Sequence, residues 1–149
     1  MELMEVIRLR RSARSFKPDP IPAEALHDML EAARLAPSPG NCQSWHLGVV
    51  TDPLIRCKLA ESAGSQMWIA TAPVIIALCS RITWHLEPMD PDDFGLQVCY
   101  TRYGQGFWDY LQRYPQRKHI GALLEEWTVS LAGQQLFLAA ADHGLSACW

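Results

Sequence analysis

Residues 120–143 constrain most strongly what this chain can fold into. Ile120, Leu124, Trp127, Leu131 and Leu138 recur at helical spacing, while Leu123, Leu136 and Phe137 are apolar elsewhere on the same helix. A helix apolar around much of its girth must be covered on more than one side, because that surface is unfavourable in water. It belongs at the centre of a domain or in a contact between two copies. Gly144 suits the end of that helix, where a left-handed residue closes the last turn. Leu145 to Trp149 then reads as the start of a strand, and the chain stops in mid-pattern on an apolar tryptophan. We therefore expect one domain, residues 1–149, cut short at its carboxyl end.

The other elements follow from local pattern. Leu3, Val6 and Ile7 share one face of a helix over residues 2 to about 10. Pro22 and Glu24 suit the first turn of a second helix, with Leu26, Met29, Leu30 and Ala33 as its buried stripe. Trp45, Leu47 and Val49 alternate with His46 and Gly48 as a strand does. Asp52-Pro53 is a cap and a first helical residue, opening a short helix that reaches Gly64. Residues 64–68 should lie beside the start of the next strand. The continuous apolar run 74–79 predicts that strand as central and buried on both faces. Residues 81–116, rich in aromatic residues and broken by Pro88, Pro91 and Pro115, read as a long excursion with a helical portion.

Composition excludes several classes. A net charge of -3 argues against nonspecific binding to nucleic acid, which needs excess positive charge against phosphates. The five cysteines form no C-x-x-C pair, so neither a zinc site nor a disulfide framework is signalled, and reduced, mostly buried thiols are expected. His46 has no second histidine or carboxylate nearby at metal-ligand spacing and reads as a structural histidine. No apolar run is long enough to span a bilayer, and no signal-peptide core is present, so we expect a cytoplasmic protein without membrane contact.

Two stretches carry chemistry. In Ala36-Pro37-Ser38-Pro39-Gly40-Asn41-Cys42-Gln43-Ser44-Trp45 the prolines restrict the backbone, and Gly40 and Asn41 accept a positive φ. A kinked loop of this kind offers fixed backbone groups, with Ser38, Asn41 and Gln43, to a flat hydrogen-bonding ring. An ordinary helix-to-strand connection is the other reading. In Arg10-Arg11-Ser12-Ala13-Arg14-Ser15-Phe16 an extended backbone would project Arg10, Ser12 and Arg14 to one side. Two guanidiniums and a hydroxyl can grip a phosphate monoester through charge-assisted hydrogen bonds. A solvated basic surface is the alternative there.

These two stretches, the proline loop extended back to Leu30, resemble the nitroreductase family of flavin enzymes. Residues 66–76 resemble the family's strand after the second FMN-contacting loop, and 138–149 the end of its long central helix. The resemblance implies an α+β fold, a three-layer α/β/α sandwich with a mixed, mostly antiparallel sheet. It implies an intertwined homodimer with FMN at the interface. Arg10, Arg11 and Ser12 would hold the FMN phosphate and ribityl chain, and Arg14 would face the pyrimidine edge of the ring. Pro37, Ser38, Pro39 and Asn41 would reach the flavin from the other subunit, with Gln43 close behind and Gln66 at the ring edge. Two departures stand out. Ser44 occupies a position where the family usually has proline, and the family continues past Trp149 with a further strand and more FMN contacts.

The implied activity is hydride transfer from NAD(P)H, through FMN, to a nitroaromatic, a quinone or a related small-molecule acceptor. No side chain need act as acid or base, so no catalytic residue is named. A guanidinium at Arg14 would stabilise negative charge on the reduced ring. The alternative is a non-catalytic flavin-binding protein or an inactive remnant of the family.

Overall fold

The computed structural model describes residues 1–41, 43–80, 101–106, 109, 113 and 117–149. In chain order the elements are α1 (Leu3–Leu9), α2 (Ala23–Arg34), β1 (Trp45–Val50), α3 (Pro53–Ser62), β2 (Ile75–Ser80) and α4 (Arg117–Asp142). Short 3-10 turns occupy Pro39–Asn41 and Met67–Thr71. Most of the excursion at 81–116 lies outside the described residues, and 101–106 within it are helical.

Local chemistry explains most boundaries. The Asp52 carboxylate accepts from the N–H groups of Leu54 at 2.8 Å and Ile55 at 3.0 Å, and Pro53 follows where an N–H is dispensable. Gly64, at φ 78, turns the chain away after α3. Gly144, at φ 69, does the same after α4, and the Leu145 N–H returns to the Ala140 carbonyl at 2.8 Å. Pro22 occupies the N-cap of α2, one residue before the first turn that the sequence suggests for it.

The core forms where α2 and the sheet meet α4. Ala25, Met29 and Ala33 recur every four residues and form the buried row of α2. Met29 and Ala33 join Val129, Ala132, Leu136 and Ala140 of α4 in one cluster. Alanines at this seam let the helices approach closely. Burial of a Met or Leu side chain there contributes about 1.5–3 kcal/mol each. β1 and β2 pair antiparallel, from Trp45 opposite Ser80 to Val50 opposite Ile75. Alternation turns Trp45, Leu47, Ile76 and Leu78 onto this same cluster.

Several expectations change. The two described strands leave β2 half-buried with Cys79 exposed, so it is not enclosed on both faces. Its core-facing side meets α4, and no described strand lies beyond its second edge. On α4, Trp127 is 58% exposed and Leu131 is also exposed, whereas Leu136 is 4% exposed. The core side of α4 is thus rotated from the predicted stripe: Trp127 and Leu131 face outward, while Phe137 packs against the core. α1 buries only Val6, and Leu3 is 64% exposed. Cys57 and Cys148 are half-buried and Cys79 is exposed, so these thiols are less enclosed than composition suggests. His46 is exposed, opposite Cys79 across the ladder. Among the described residues Leu145 to Trp149 makes no ladder, only an isolated parallel bridge between Ala147 and Ser12.

Candidate functional site

The arginine stretch leaves α1 at Arg10, whose N–H closes the helix on the Val6 carbonyl at 3.0 Å. Beyond it the chain extends, and the Ala13 N–H donates to the Ala147 carbonyl at 3.2 Å. The chain bends at Arg14, and its side chain and that of Phe16 converge. Both reach Trp68. The Arg14 guanidinium carbon lies 6.0 Å from the indole centre, and the Phe16 ring stacks on it at 6.3 Å with planes 29° apart. Arg11 turns back, its Nη1 donating to the carbonyls of Arg8 and of Arg10, the latter at 2.9 Å. Arg8 lies in the last turn of α1, where carbonyls lack intrahelical partners and favour a cation. Among the described residues the other donors of Arg11 make no hydrogen bond.

Trp68 sits in the turn Met67–Thr71, and that turn is held from α3. Arg56 donates through Nη1 to the carbonyls of Ala70, at 3.2 Å, and of Ala72. The Trp68 ring N–H donates to Gln66 Oε1 at 3.3 Å, and Gln66 Nε2 donates to the Ala63 carbonyl at 2.8 Å. Arg14 and Gln66, from two separate motifs, therefore meet on one indole.

The proline loop is organised within itself. The Asn41 N–H donates to the Ser38 carbonyl at 3.0 Å, and the Gln43 N–H to Ser38 Oγ at 3.0 Å. Gln43 Nε2 donates to Asn41 Oδ1 at 3.1 Å. Asn41 and Gln43 hold φ values of 58 and 47, a region that few side chains adopt without strong local determination. Pro37, Asn41 and Gln43 are exposed, with Ser38 and Pro39 half-buried. Among the described residues, no hydrogen bond or ion pair joins Pro37, Ser38, Pro39, Asn41 or Gln43 to Arg10, Arg11, Ser12 or Arg14 within the chain.

Behind the Phe16–Trp68 stack lies a cavity of about 890 Å³, bounded by β2, α4 and residues 144–149. Its size falls in the range of small-molecule pockets, about 300–1,000 Å³. Of the predicted contacts only Gln66 lines it, together with Phe16, Trp68, Leu78 and Phe137. Sequence reasoning missed the parts played by Trp68, Phe16 and Arg56. The adjacency of Trp68 to Gln66 was the one local signal. Nothing in the helix pattern distinguishes Arg56 from a solvated surface arginine.

Comparison with known proteins places these features. A sequence profile of the Nitroreductase family matches residues 7–149. The chain is 40% identical over 81 residues to an NADH dehydrogenase of Thermus thermophilus, an alignment covering 54% of this chain and 40% of that protein. It is 35% identical over 100 residues to the NAD(P)H FMN reductase of Bacillus subtilis, covering 65% and 39% respectively. The solved structure of B. megaterium NfrA1 superposes with a TM-score of 0.70 at 22% identity, covering 99% of this chain and 53% of that one. This chain thus spans about half the length, or less, of those proteins.

Proposed function

The chain belongs to the Nitroreductase family, and from that premise we propose that it binds FMN and passes hydride from NAD(P)H to a nitroaromatic, quinone or related acceptor. The observation that carries this reading is the meeting of Arg14 and Gln66 on Trp68. A cation and a carboxamide are the groups that a flavin ring edge, with its carbonyls and ring N–H, can engage. FMN reductase activity belongs, by name, to the B. subtilis relative.

The residues present fit the cofactor. Arg10 and Arg14 have no carboxylate partner among the described residues, and Arg11 keeps unused donors, which suits a phosphate dianion. FMN, when bound, supplies the two-electron chemistry. The chain's own contribution is binding and charge: Arg10, Arg11 and Ser12 hold the phosphate end, and Arg14 places a positive charge where reduction adds a negative one. We assign Pro37, Ser38, Pro39, Asn41 and Gln43 to the partner's flavin in a homodimer. Exposed Leu3 and Ile7 on α1, with Trp127 and Leu131 on α4, supply apolar surface for such an assembly.

The test is a visible spectrum. Purified chain titrated with FMN should become yellow, bleach on addition of NADH or NADPH, and recover its colour with a nitroaromatic or a quinone. Bound flavin that neither nucleotide reduces would reduce the protein to a binding module. A chain that takes up no FMN would overturn the reading.

A further inference from the structure

Trp68 touches Arg14 and Gln66, two residues that the resemblance assigns to the cofactor, and has no cofactor role assigned to it. We propose that Trp68 is a positioning residue of the flavin site, holding Arg14 through its ring face and Gln66 through its ring N–H. The inference rests on the FMN reading above.

The geometry argues it from both sides. Arg14 is exposed and makes no ion pair among the described residues, so little besides the indole limits where its long side chain points. A cation over an aromatic face is held by charge against the ring quadrupole, which leaves its N–H donors free for a ligand. The contact strengthens as a bound ligand excludes water. Gln66 is fixed in a different way. The indole N–H can only donate and the Ala63 carbonyl can only accept, so Oε1 faces Trp68 and Nε2 faces Ala63. One Nε2 hydrogen and one Oε1 lone pair then remain for a ring edge carrying both a carbonyl and an N–H. Phe16 backs the same indole, and Arg56 clamps the carbonyls of Ala70 and Ala72 just beyond it. The indole therefore has a fixed seat.

The experiment compares Trp68→Leu, which loses face and N–H, with Trp68→Phe, which keeps a face and loses the N–H. In the FMN-loaded chain, Trp68→Leu should weaken FMN binding about two- to fivefold, the range of an exposed cation–π contact. It should also make the flavin midpoint potential more negative, as Arg14→Ala should. Arg14→Ala should then shift the potential less in the Trp68→Leu background than alone. Trp68→Phe should keep a potential near that of the parent. A second readout uses cofactor-free protein: the Trp68 indole N–H resonance, assigned by its loss in Trp68→Phe, should move in Arg14→Ala and in Gln66→Ala. If the parent takes up no FMN, the functional reading falls and this inference with it. If the parent binds FMN but Trp68→Leu leaves the potential and its sensitivity to Arg14→Ala unchanged, the positioning role alone is wrong. An indole resonance indifferent to Arg14→Ala overturns it as well.

Discussion

Ser12 and Ala147 lie side by side in an isolated parallel bridge, so the end of the chain anchors the arginine stretch. That bridge includes the Ala13 N–H donating to the Ala147 carbonyl, at 3.2 Å. Ala13→Pro deletes the donor without forcing Ser12 out of an extended conformation. We expect a loss of about 0.5–1.5 kcal/mol in stability, the net worth of one such bond, read by urea unfolding. FMN affinity should fall as well, because Arg10 and Arg14 lose their common support.

Gly133 leaves no room for a side chain. A β-carbon there would overlap the Trp149 ring, with Cη2 at 2.9 Å and Leu78 Cδ1 at 3.0 Å. Gly133→Ala should therefore destabilise by about 1–3 kcal/mol through overpacking. In a Trp149→Ala background the ring is gone and only Leu78 Cδ1, the end of a flexible side chain, has to yield, so the helix preference for alanine, up to about 1 kcal/mol, should make the same change stabilising. A double-mutant cycle followed by urea unfolding reads the change of sign.

Asp52 caps α3 through two backbone N–H groups, at 2.8 and 3.0 Å. Asp52→Ala should cost about 0.5–2 kcal/mol, and Asp52→Asn should recover most of it. Since α3 carries Arg56, hydrogen exchange in the turn Met67–Thr71 should quicken in the alanine variant and not in the asparagine one.

On α2, Arg34 hydrogen-bonds Glu31 through Nε at 2.8 Å and Nη2 at 2.6 Å. That bond lowers the Glu31 carboxyl below its ordinary range and raises the Arg34 guanidinium. A lowered carboxyl contributes stability fully above its unfolded value, about 4.3, and loses it as pH falls through the lower folded one. NMR titration of the Glu31 carboxyl should give a midpoint below that of an unpaired glutamate, and Arg34→Ala should return it. Both groups are exposed, so the effect on overall stability should be small.

What could be read in advance follows from the range of each signal. Asp52, Pro53, Gly64 and Gly144 announce helix ends because capping and positive φ act on neighbouring backbone. The alternation at Trp45 and Leu47 likewise gave β1. The orientation of α4 was not legible: with apolar residues around its girth, periodicity cannot say whether Trp127 or Leu136 faces the core. Small residues decided it, since Ala132 and Ala140 admit α2 where larger side chains would hold it away. At the site, resemblance named Arg14 and Gln66 but offered no sign that they share an indole.

The order of residues alone determined the kinked proline loop, the cationic extended stretch and most helix boundaries, because each depends on groups a few positions apart. Only the tertiary structure decided which face of α4 is core and which side chain joins Arg14 to Gln66. Those relations depend on how α3, β2 and α4 pack, and packing brings together residues that no local pattern relates.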